Sequence, residues 1–413
     1  MKEASAAGLR MMADRGVELQ TVDKSPDEVL KIGYGSYLAN AGVCDVCHVS
    51  TDGTAYAGGV PFAVDLEGNQ VLGKNLTPDA RTGMKLSEAQ FVETMRTGKD
   101  FSVPEDQAPQ QLVVFPWYDY RWLTLADLSA IYAFLRALPP VESEVPPAQK
   151  GAFFAAFTPV AFPARFDQGE EDRDLSPEDA DVDGVSRGAS ISPLAGELMD
   201  AGSTEKQRWS IARGSYLVNT LGHCSDCHTN PSRDFEQNSP RYLRIGTENF
   251  LSGGFAFPVF PAALTKQIRT MSSNLTGAEH GFLNAASDSE QRFLDTIDSG
   301  MKLDGPGAPR LLGWPMPWDN FRLMTRADLV AIYDYLKTIP PRLHAADKQT
   351  QTVARYCEAD SDCLGEGERC ELASSECAGT SCAALADCGA CQSCSDAACV
   401  APAADDACFF HGL

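Results

Sequence analysis

The stretches "CDVCH", Cys44–His48, and "CSDCH", Cys224–His228, place two cysteines and a histidine at the same spacing twice in one chain. The segments before them also agree, with "GSYLANAG" before the first and "GSYLVNTLG", one residue longer, before the second. Residues three apart in a helix project from the same face. Each stretch therefore presents two thiols on one side of a helical turn, with an imidazole directly after them.

Two thiols on one helical face are able to bond to the two vinyl groups of a porphyrin, while the adjacent imidazole binds the iron. A zinc half-site would need a second ligand pair, but residues 49–222 contain neither cysteine nor histidine. A redox-active dithiol typically follows a strand, whereas both preceding segments have helical character. The sequence predicts two covalently attached haem c groups, held by Cys44, Cys47, His48, Cys224, Cys227 and His228, with the two histidines as iron ligands.

The repetition extends beyond these stretches, which indicates duplicated domains. Four further segments of the first copy match the second: "GGVPF" and "GGFAF", "NLTP" and "NLTG", "SEAQFVETMRTG" and "SEQRFLDTIDSG", and "LADLSAIYAFLRALPP" and "RADLVAIYDYLKTIPP".

Three helices are predicted in each copy, and the first leads into the cysteine motif. The second begins at a serine N-cap and ends at a glycine. The third begins at a threonine, and an aspartate three residues later, Asp127 or Asp328, resembles a capping box. Its apolar positions recur at helical spacing, so it should pack on the first helix. The boundary residues in the two copies are Ser87 and Ser289, Gly98 and Gly300, and Thr124 and Thr325.

Cysteine use divides the chain, because ten of its 14 cysteines lie between Cys357 and Cys408. This C-terminal segment is acidic and too poor in large apolar residues to build much of a core. Closely spaced cysteines in such a segment predict a disulfide-stapled module of an oxidising compartment, and therefore a periplasmic or extracellular protein. A metal-binding cluster is the alternative, but the segment's only histidine is His411.

The charge of the chain argues against a nucleic-acid partner, and its hydropathy argues against a membrane-spanning segment. The net charge of -23 argues against nucleic acid, since phosphates are bound by basic surfaces. No run of about 18 apolar residues is present, so no membrane span is predicted. The N-terminal stretch also lacks the apolar core of a secretory signal, and we expect either that an export signal was removed or that the numbering begins at a mature end.

These motifs together resemble the class I cytochrome c domains in the multihaem cytochrome c subunits of membrane-associated alcohol, gluconate or fructose dehydrogenases. The resemblance covers residues 30–140 and 210–341. It implies an electron-transfer protein or subunit, which relays single electrons between a redox partner, a dehydrogenase or another cytochrome, and a downstream acceptor. The usual subunit of that family has three haem domains, whereas this chain has two and then a cysteine-rich tail, a candidate module for docking a protein or envelope component.

The predicted fold is mainly α, with two tandem class I cytochrome c domains and a small disulfide-rich C-terminal module. The boundaries are an N-terminal extension (1–29), domain 1 (30–140), a connector with an acidic loop (141–209), domain 2 (210–345) and the tail (346–413).

The resemblance implies a methionine as the sixth iron ligand, and the matching residue of the second copy is Met316, with Met301 and Met324 as rivals. In the first copy the same position is Phe115, which is unable to bind iron. The remaining candidates there are Met84, Met95, Lys85, Tyr118 or a connector residue. Otherwise the first iron is open, which would favour an enzyme or sensor acting on a small molecule or peroxide.

A further group of residues matches family positions near the haem edge. We expect them either to donate hydrogen bonds to haem propionates or to stabilise loops. His223, directly before Cys224, is expected to contact a propionate or solvent rather than iron. The other members of the group are Asn75, Asn274, Arg96, Trp117 and Trp318.

Overall fold

The computed structural model describes residues 1–64, 69–101, 110–112, 114–147, 183–194, 204–233, 243, 245–259, 268–279, 281–284, 288–302, 310–312 and 315–342, and five short strands after them. Within these ranges the chain is mainly α-helical, as the sequence predicts. No helix in the described part is both long and apolar enough to cross a membrane. Residues 30–140 are called the first repeat below, and residues 210–345 the second repeat.

The helices follow the same order in both halves. The first set is α1 (Lys2–Asp14), α2 (Pro26–Ala41), α3 (Cys44–His48), α4 (Glu88–Thr97), α5 (Trp117–Tyr120) and α6 (Leu125–Ala137). The second set is α7 (Gly184–Ile191), α8 (Glu205–Tyr216), α9 (Cys224–His228), α10 (Glu290–Ser299), α11 (Trp318–Phe321) and α12 (Arg326–Lys337). Helices α7 to α12 therefore correspond in order to α1 to α6.

Short antiparallel strand pairs lie at equivalent places between the helices. In the first repeat they are β1 (Pro61–Val64) with β2 (Gln70–Leu72) and β3 (Lys99–Asp100) with β4 (Gln110–Gln111). In the second they are β5 (Ala256–Val259) with β6 (Ile268–Met271) and β7 (Met301–Lys302) with β8 (Arg310–Leu311). Strand β9 (Ala354–Arg355) adds to β6.

The tail contributes two short hairpins. These are β10 (Arg369–Glu371) with β11 (Glu376–Ala378), and β12 (Ser393–Ser395) with β13 (Ala398–Val400). The rest of the predicted disulfide module lies outside the described residues, so the disulfides stay a prediction. The acidic run of the connector also lies outside them, except Asp183, whose side chain caps α7.

The first and third helices of each repeat cross at very short range. Helix α2 packs on α6, and α8 packs on α12, which confirms the predicted contact. A Cβ atom on Gly35 would lie only 1.9 Å from the carbonyl oxygen of Ala130. One on Gly214 would lie 1.9 Å from the carbonyl oxygen of Ala331. The two backbones therefore touch at the crossing, and glycine is the residue that permits this.

Each repeat is preceded by a helix that the sequence does not predict. Helix α1 packs on α2, and α7 packs on α8 in the same way. In both contacts a small residue lies against the neighbouring backbone, since a Cβ atom on Gly8 would lie 2.0 Å from the carbonyl oxygen of Gly33 and one on Gly188 would lie 1.9 Å from that of Ala212. Met11 and Met12 of α1 are buried as well. The segments assigned to an extension and to a connector thus take part in the packing of the repeats.

The extra residue before the second cysteine motif is absorbed by a change of helix type. Helix α8 continues as a π-helical turn, Leu217–Leu221, directly before Gly222. Such a turn accommodates one inserted residue while the helix on its N-terminal side keeps its register. The buried face of α8 therefore remains equivalent to that of α2, although the link to the motif is longer.

The predicted helix starts are confirmed, but the capping boxes of the third helices are completed from outside. Ser87, Ser289, Thr124 and Thr325 are all N-caps whose side chains accept a backbone N–H three residues later. In the third helices the N-cap backbone N–H donates to a tyrosine of the other repeat, and not to the aspartate three residues on. An aspartate side chain is one methylene shorter than the glutamate of a capping box, and the tyrosine hydroxyl fills this gap.

Reciprocal tyrosine contacts join the two repeats. The Tyr37 hydroxyl of α2 accepts a hydrogen bond from the Thr325 N–H (3.1 Å) and donates to Asp328 Oδ2 (2.7 Å). The Tyr216 hydroxyl of α8 accepts from the Thr124 N–H (3.0 Å) and donates to the carboxylate of Asp127. Each repeat therefore caps a helix of the other, and the interface has approximate two-fold symmetry.

Candidate functional site

Each cysteine motif forms a one-turn helix of its own, α3 or α9. The residue before each helix has a left-handed backbone, with φ 49° at Val43 and φ 30° at His223. A residue with a side chain occupies this region at a cost of roughly 1–3 kcal/mol, and such strain concentrates at functional sites. Both repeats accept this cost at the same place, where the chain turns sharply into the motif.

The four cysteines of the motifs are free thiols. Burial raises the pKa of each thiol to about 12, with a smaller effect from nearby carboxylates. Each motif therefore presents two protonated thiols on one helical turn. This arrangement fits the thioether attachment predicted from the sequence, and it equally fits the reduced form of a dithiol.

The two histidines have the same orientation. Nδ1 lies 2.7 Å from the carbonyl oxygen of Lys74 at His48, and 2.7 Å from that of Ser273 at His228. Because a carbonyl oxygen only accepts, Nδ1 carries the proton and Nε2 keeps a free lone pair for a metal. Burial also lowers the pKa of both imidazoles, which favours the neutral form that binds iron.

A returning loop fixes the carbonyl groups that accept from the histidines. Its first part is tied to the motif, since the Gly58 N–H donates to His48 O (2.8 Å) and the Gly253 N–H donates to His228 O (2.6 Å). The carbonyl groups of Lys74 and Ser273, which accept from the histidines, follow the second strand of this loop, β2 or β6. The sequence pairs "GGVPF" with "GGFAF" and "NLTP" with "NLTG" are the two halves of this loop.

Asn75 and Asn274 anchor the loop from within. Each Oδ1 accepts from the backbone and the hydroxyl of the threonine two residues later. Each Nδ2 donates to the backbone after the third helix, at 2.8 Å from Val141 O or 2.8 Å from Arg342 O. These contacts support the loop-stabilising interpretation of the two asparagines over a role as propionate donors.

Phe115 and Met316 occupy equivalent places. The carbonyl oxygen of Phe115 accepts from the Trp117 N–H (2.8 Å), and that of Met316 accepts from the Trp318 N–H (2.9 Å). Both side chains are half-buried and pack against the core, and the Phe115 ring lies 5.7 Å from the Tyr120 ring. The two residues are thus structural counterparts, while iron binding by Met316 stays a prediction.

The two methionines proposed for the first iron lie in different surroundings. Met84 is buried in the returning loop, where its N–H donates to Thr77 O (2.9 Å). Met95 is buried on α4, which packs against α5, the helix that follows Phe115. Met84 therefore belongs to the loop that binds His48, and Met95 to the elements around Phe115.

The other alternative ligands have different surroundings. Lys85 is exposed. The Tyr118 ring stacks with the guanidinium of Arg233, 4.6 Å from its centroid, and so faces the second repeat. Of the rivals to Met316, Met301 lies in β7, and Met324 is buried in the core just before α12.

Three arginines form a cationic cluster between the repeats. Arg96 donates to the carbonyl oxygen of Arg121, and Arg187 of α7 is fully buried beside them. Burial, together with the charges of Arg187 and Arg121, lowers the pKa of Arg96 to about 10. The contact of Arg96 with a backbone carbonyl fits the loop-stabilising alternative, and a hydrogen bond from Arg96 to a propionate stays a prediction. Arg187 was missed in the sequence because the connector has no counterpart in the haem motifs.

Tyr120 links the two cysteine motifs. Its hydroxyl donates to the carbonyl oxygen of Gly42 (2.7 Å), two residues before Cys44, and lies 3.4 Å from His223 Nε2. The Tyr120 and His223 rings are nearly perpendicular, with centroids 5.7 Å apart. His223 therefore contacts an aromatic ring of the other repeat, which the sequence did not predict.

The chain is similar to cytochrome subunits of several dehydrogenases, although no family model matches it. It is 28% identical to the cytochrome c subunit of a quinone alcohol dehydrogenase of Gluconacetobacter polyoxogenes over 342 residues, 82% of this chain and 61% of the relative. It is 25% identical to the cytochrome subunit of fructose dehydrogenase of Gluconobacter japonicus over 353 residues, 84% of this chain and 60% of the relative. It is also 28% identical to the gluconate 2-dehydrogenase cytochrome c subunit of Pantoea cypripedii over 236 residues, 57% of this chain and 45% of the relative.

These similarities confirm the resemblance indicated by the sequence motifs, which is to cytochrome c subunits of alcohol, gluconate and fructose dehydrogenases. The match to the alcohol and fructose dehydrogenase subunits spans about 60% of their length.

Proposed function

We propose that the chain is an exported dihaem c-type cytochrome whose two repeats are class I cytochrome c domains. It relays single electrons between a redox partner, such as a dehydrogenase, and a downstream acceptor. The observation that carries this proposal is the duplicated arrangement of two free thiols beside an imidazole whose Nδ1 is bound to a backbone carbonyl. The similarity to dehydrogenase cytochrome subunits supports the relay.

The residues divide the task between attachment and ligation. Each cysteine pair holds one haem by thioether bonds, and His48 or His228 presents Nε2 to its iron. Met316 would supply the sixth ligand in the second repeat, and Met84 and Met95 remain the methionine candidates in the first. When bound, such a haem supplies a one-electron iron couple, whose potential is raised by histidine and methionine ligation.

Export is proposed from the cysteine-rich tail, because closely spaced cysteines of this kind form disulfides in oxidising compartments. The tail is then a separate module that docks the cytochrome on a protein or envelope component. Its acidic composition favours a basic surface on that partner.

Haem stoichiometry tests the main proposal. The full chain, produced in a periplasm with a haem-attachment system, is expected to contain two haems by pyridine haemochrome assay and intact mass. Joint substitution of Cys44 and Cys47 by alanine should leave one haem, and so should joint substitution of Cys224 and Cys227. Cys357→Ala is the matched control and should keep both. A wild-type chain with fewer than two haems would contradict the proposal.

A second candidate function, a haem enzyme or sensor for a small molecule or peroxide, is favoured by Phe115 at the place of Met316. It requires an open first iron. We expect that in this case the reduced protein binds carbon monoxide at one haem, and that Phe115→Met, which restores the sulfur of the other repeat, abolishes the binding. A low-spin spectrum unchanged by carbon monoxide would exclude the enzyme or sensor function and leave the electron relay as the proposed function.

A further inference from the structure

Asn320 ties the helix after Met316 to the other repeat. It lies on α11, four residues after Met316, and is 2% exposed. Its Nδ2 donates to Asp45 Oδ1 (2.8 Å) and to Asn40 Oδ1 (3.2 Å), and its backbone oxygen accepts from Asn40 Nδ2 (2.8 Å). Asp45 lies inside α3. The helix next to Met316 is therefore hydrogen-bonded to the cysteine motif of the first repeat.

The two acceptors for Asn320 are held in place from the segment that precedes their own repeat. Arg15, directly after α1, forms a salt bridge with Asp45 and donates from Nη2 to Asn40 Oδ1 (3.3 Å). Asp45 and Asn40 thus have positions fixed independently of the second repeat. Asn320 therefore binds to two acceptors whose positions are already fixed, and the contact fixes the position of α11.

The reverse contact exists with different chemistry. Asp119 occupies the position of Asn320 in the first repeat and forms a buried salt bridge with Arg233 of the second repeat. Arg233 Nε also donates to Asp226 Oδ1 of α9 (3.0 Å). The helix after Phe115 is therefore also bound to the cysteine motif of the opposite repeat, by an ionic cluster where the other side uses amides.

We propose that Asn320 is a positioning residue for Met316, so that the ligation of the second iron depends on the first repeat. This rests on the proposed function, because it concerns how the second haem keeps its sixth ligand. Helix α11 has four residues and is too short to be stable by itself. Its first N–H binds the Met316 carbonyl, so whatever fixes α11 also fixes the backbone of Met316.

A thioether sulfur is a neutral and weak axial ligand, so its bond to iron depends on how firmly the protein holds it. The contact made by Asn320 attaches the chain to the first repeat only four residues after Met316. The loop that carries Met316 is therefore only complete when the first repeat is packed against it.

The test is the optical and redox signature of the second haem in the intact holoprotein. In Asn320→Ala we expect partial or full loss of the methionine-to-iron charge-transfer band of the ferric protein. The potential of the second haem should shift negative, because methionine ligation raises it. Haem content should remain at two per chain. Asp45→Ala, which removes the acceptor on the other repeat, should weaken the same band.

Tyr216→Phe is the matched control, since it removes a buried cross-repeat hydrogen bond that lies away from α11 and should leave the band unchanged. Equal loss in Tyr216→Phe and Asn320→Ala would show general loosening of the interface and overturn the proposal. An unchanged band in Asn320→Ala would overturn it while leaving the dihaem relay intact. A dihaem wild type that lacks the band would overturn the assignment of Met316 and this inference together, but not haem attachment.

Discussion

Asp127 and Asp328 occupy the same position in the two repeats, yet their pKa values shift in opposite directions. Burial raises the pKa of Asp127, despite its hydrogen bond from Tyr216. Burial acts in the same sense on Asp328, but Arg213 donates two hydrogen bonds (2.8 and 2.9 Å) and lowers its pKa. The counterpart of Arg213 beside Asp127 is the uncharged Tyr34. The exchange of Arg213 for Tyr34 therefore decides whether the ionised carboxylate at this position stabilises the fold.

We expect Asp328→Asn to lower the free energy of unfolding at neutral pH by about 3–5 kcal/mol, because it leaves Arg213 buried without its countercharge. Asp127→Asn should cost much less, since it removes a carboxyl that is already hard to ionise. Guanidinium unfolding of both holoproteins at neutral pH makes the comparison. Equal losses in the two variants would contradict the assigned shifts.

The pH dependence of the same variants has a defined sign. The contribution of Asp328 is present above its ordinary pKa of 3.8 and is lost as the pH falls through the lowered folded value. The difference in free energy of unfolding between the wild type and Asp328→Asn should therefore become smaller in acid. Asp127 has a raised pKa, so its contribution is present below 3.8 and is lost as the pH rises through the folded value.

The residues proposed to attach haem could be identified from the sequence, whereas those that join the repeats could not. Cys-x-x-Cys-His is a local signal, because its five positions act together on one cofactor. Tyr37, Asn320 and Arg187 act across the repeat boundary, and each is one polar residue without a local pattern. The roles of these residues appear only when the two repeats are packed together.

At the scale of elements, the crossings of α2 with α6 and of α8 with α12 tolerate no side chain. Gly35→Ala or Gly214→Ala would place a methyl group against a backbone carbonyl, which has no other rotamer to adopt. We expect each change to lower the free energy of unfolding by about 3 kcal/mol or more, the upper part of the range for overpacked cores. Thermal unfolding followed through the haem spectrum measures this.

Asp27→Ala, on the exposed first turn of α2, is the control for those variants and should stay near wild-type stability. A Gly35→Ala protein as stable as this control would mean that the helices separate at little cost.

Elements with a strong local signal were predicted well. Serine and threonine N-caps, glycine C-caps and an apolar stripe fixed the helices around the core. Helix α1 was missed although Ala4, Met11 and Met12 recur at helical spacing. Helix α7 has no such signal, because its buried residues are Arg187 and Gly188. The sequence showed the π turn after α8 only as one extra residue. An inserted residue can be accommodated by a helical bulge or by a longer loop, and the sequence alone does not distinguish these.

At the scale of the whole molecule, the repetition of motifs predicted two equivalent units but not how they meet. Periodicity records which face of a helix is buried within a unit. The contact between units is made by single polar side chains on α2, α8, α5 and α11, which no periodicity marks. The approximate two-fold symmetry of the interface could therefore not be predicted from the sequence.

The tyrosine exchange between α2 and α8 has a consequence for directionality. An isologous contact, in which each half offers the other the same surface, treats both halves alike and gives an electron no preferred way to travel. In the proposed relay, polarity would arise where the halves differ, for example at Phe115 opposite Met316, at Asp119 opposite Asn320, and at the π turn that follows α8. The shared interface keeps the halves together, and such unmatched positions would distinguish an entrance from an exit.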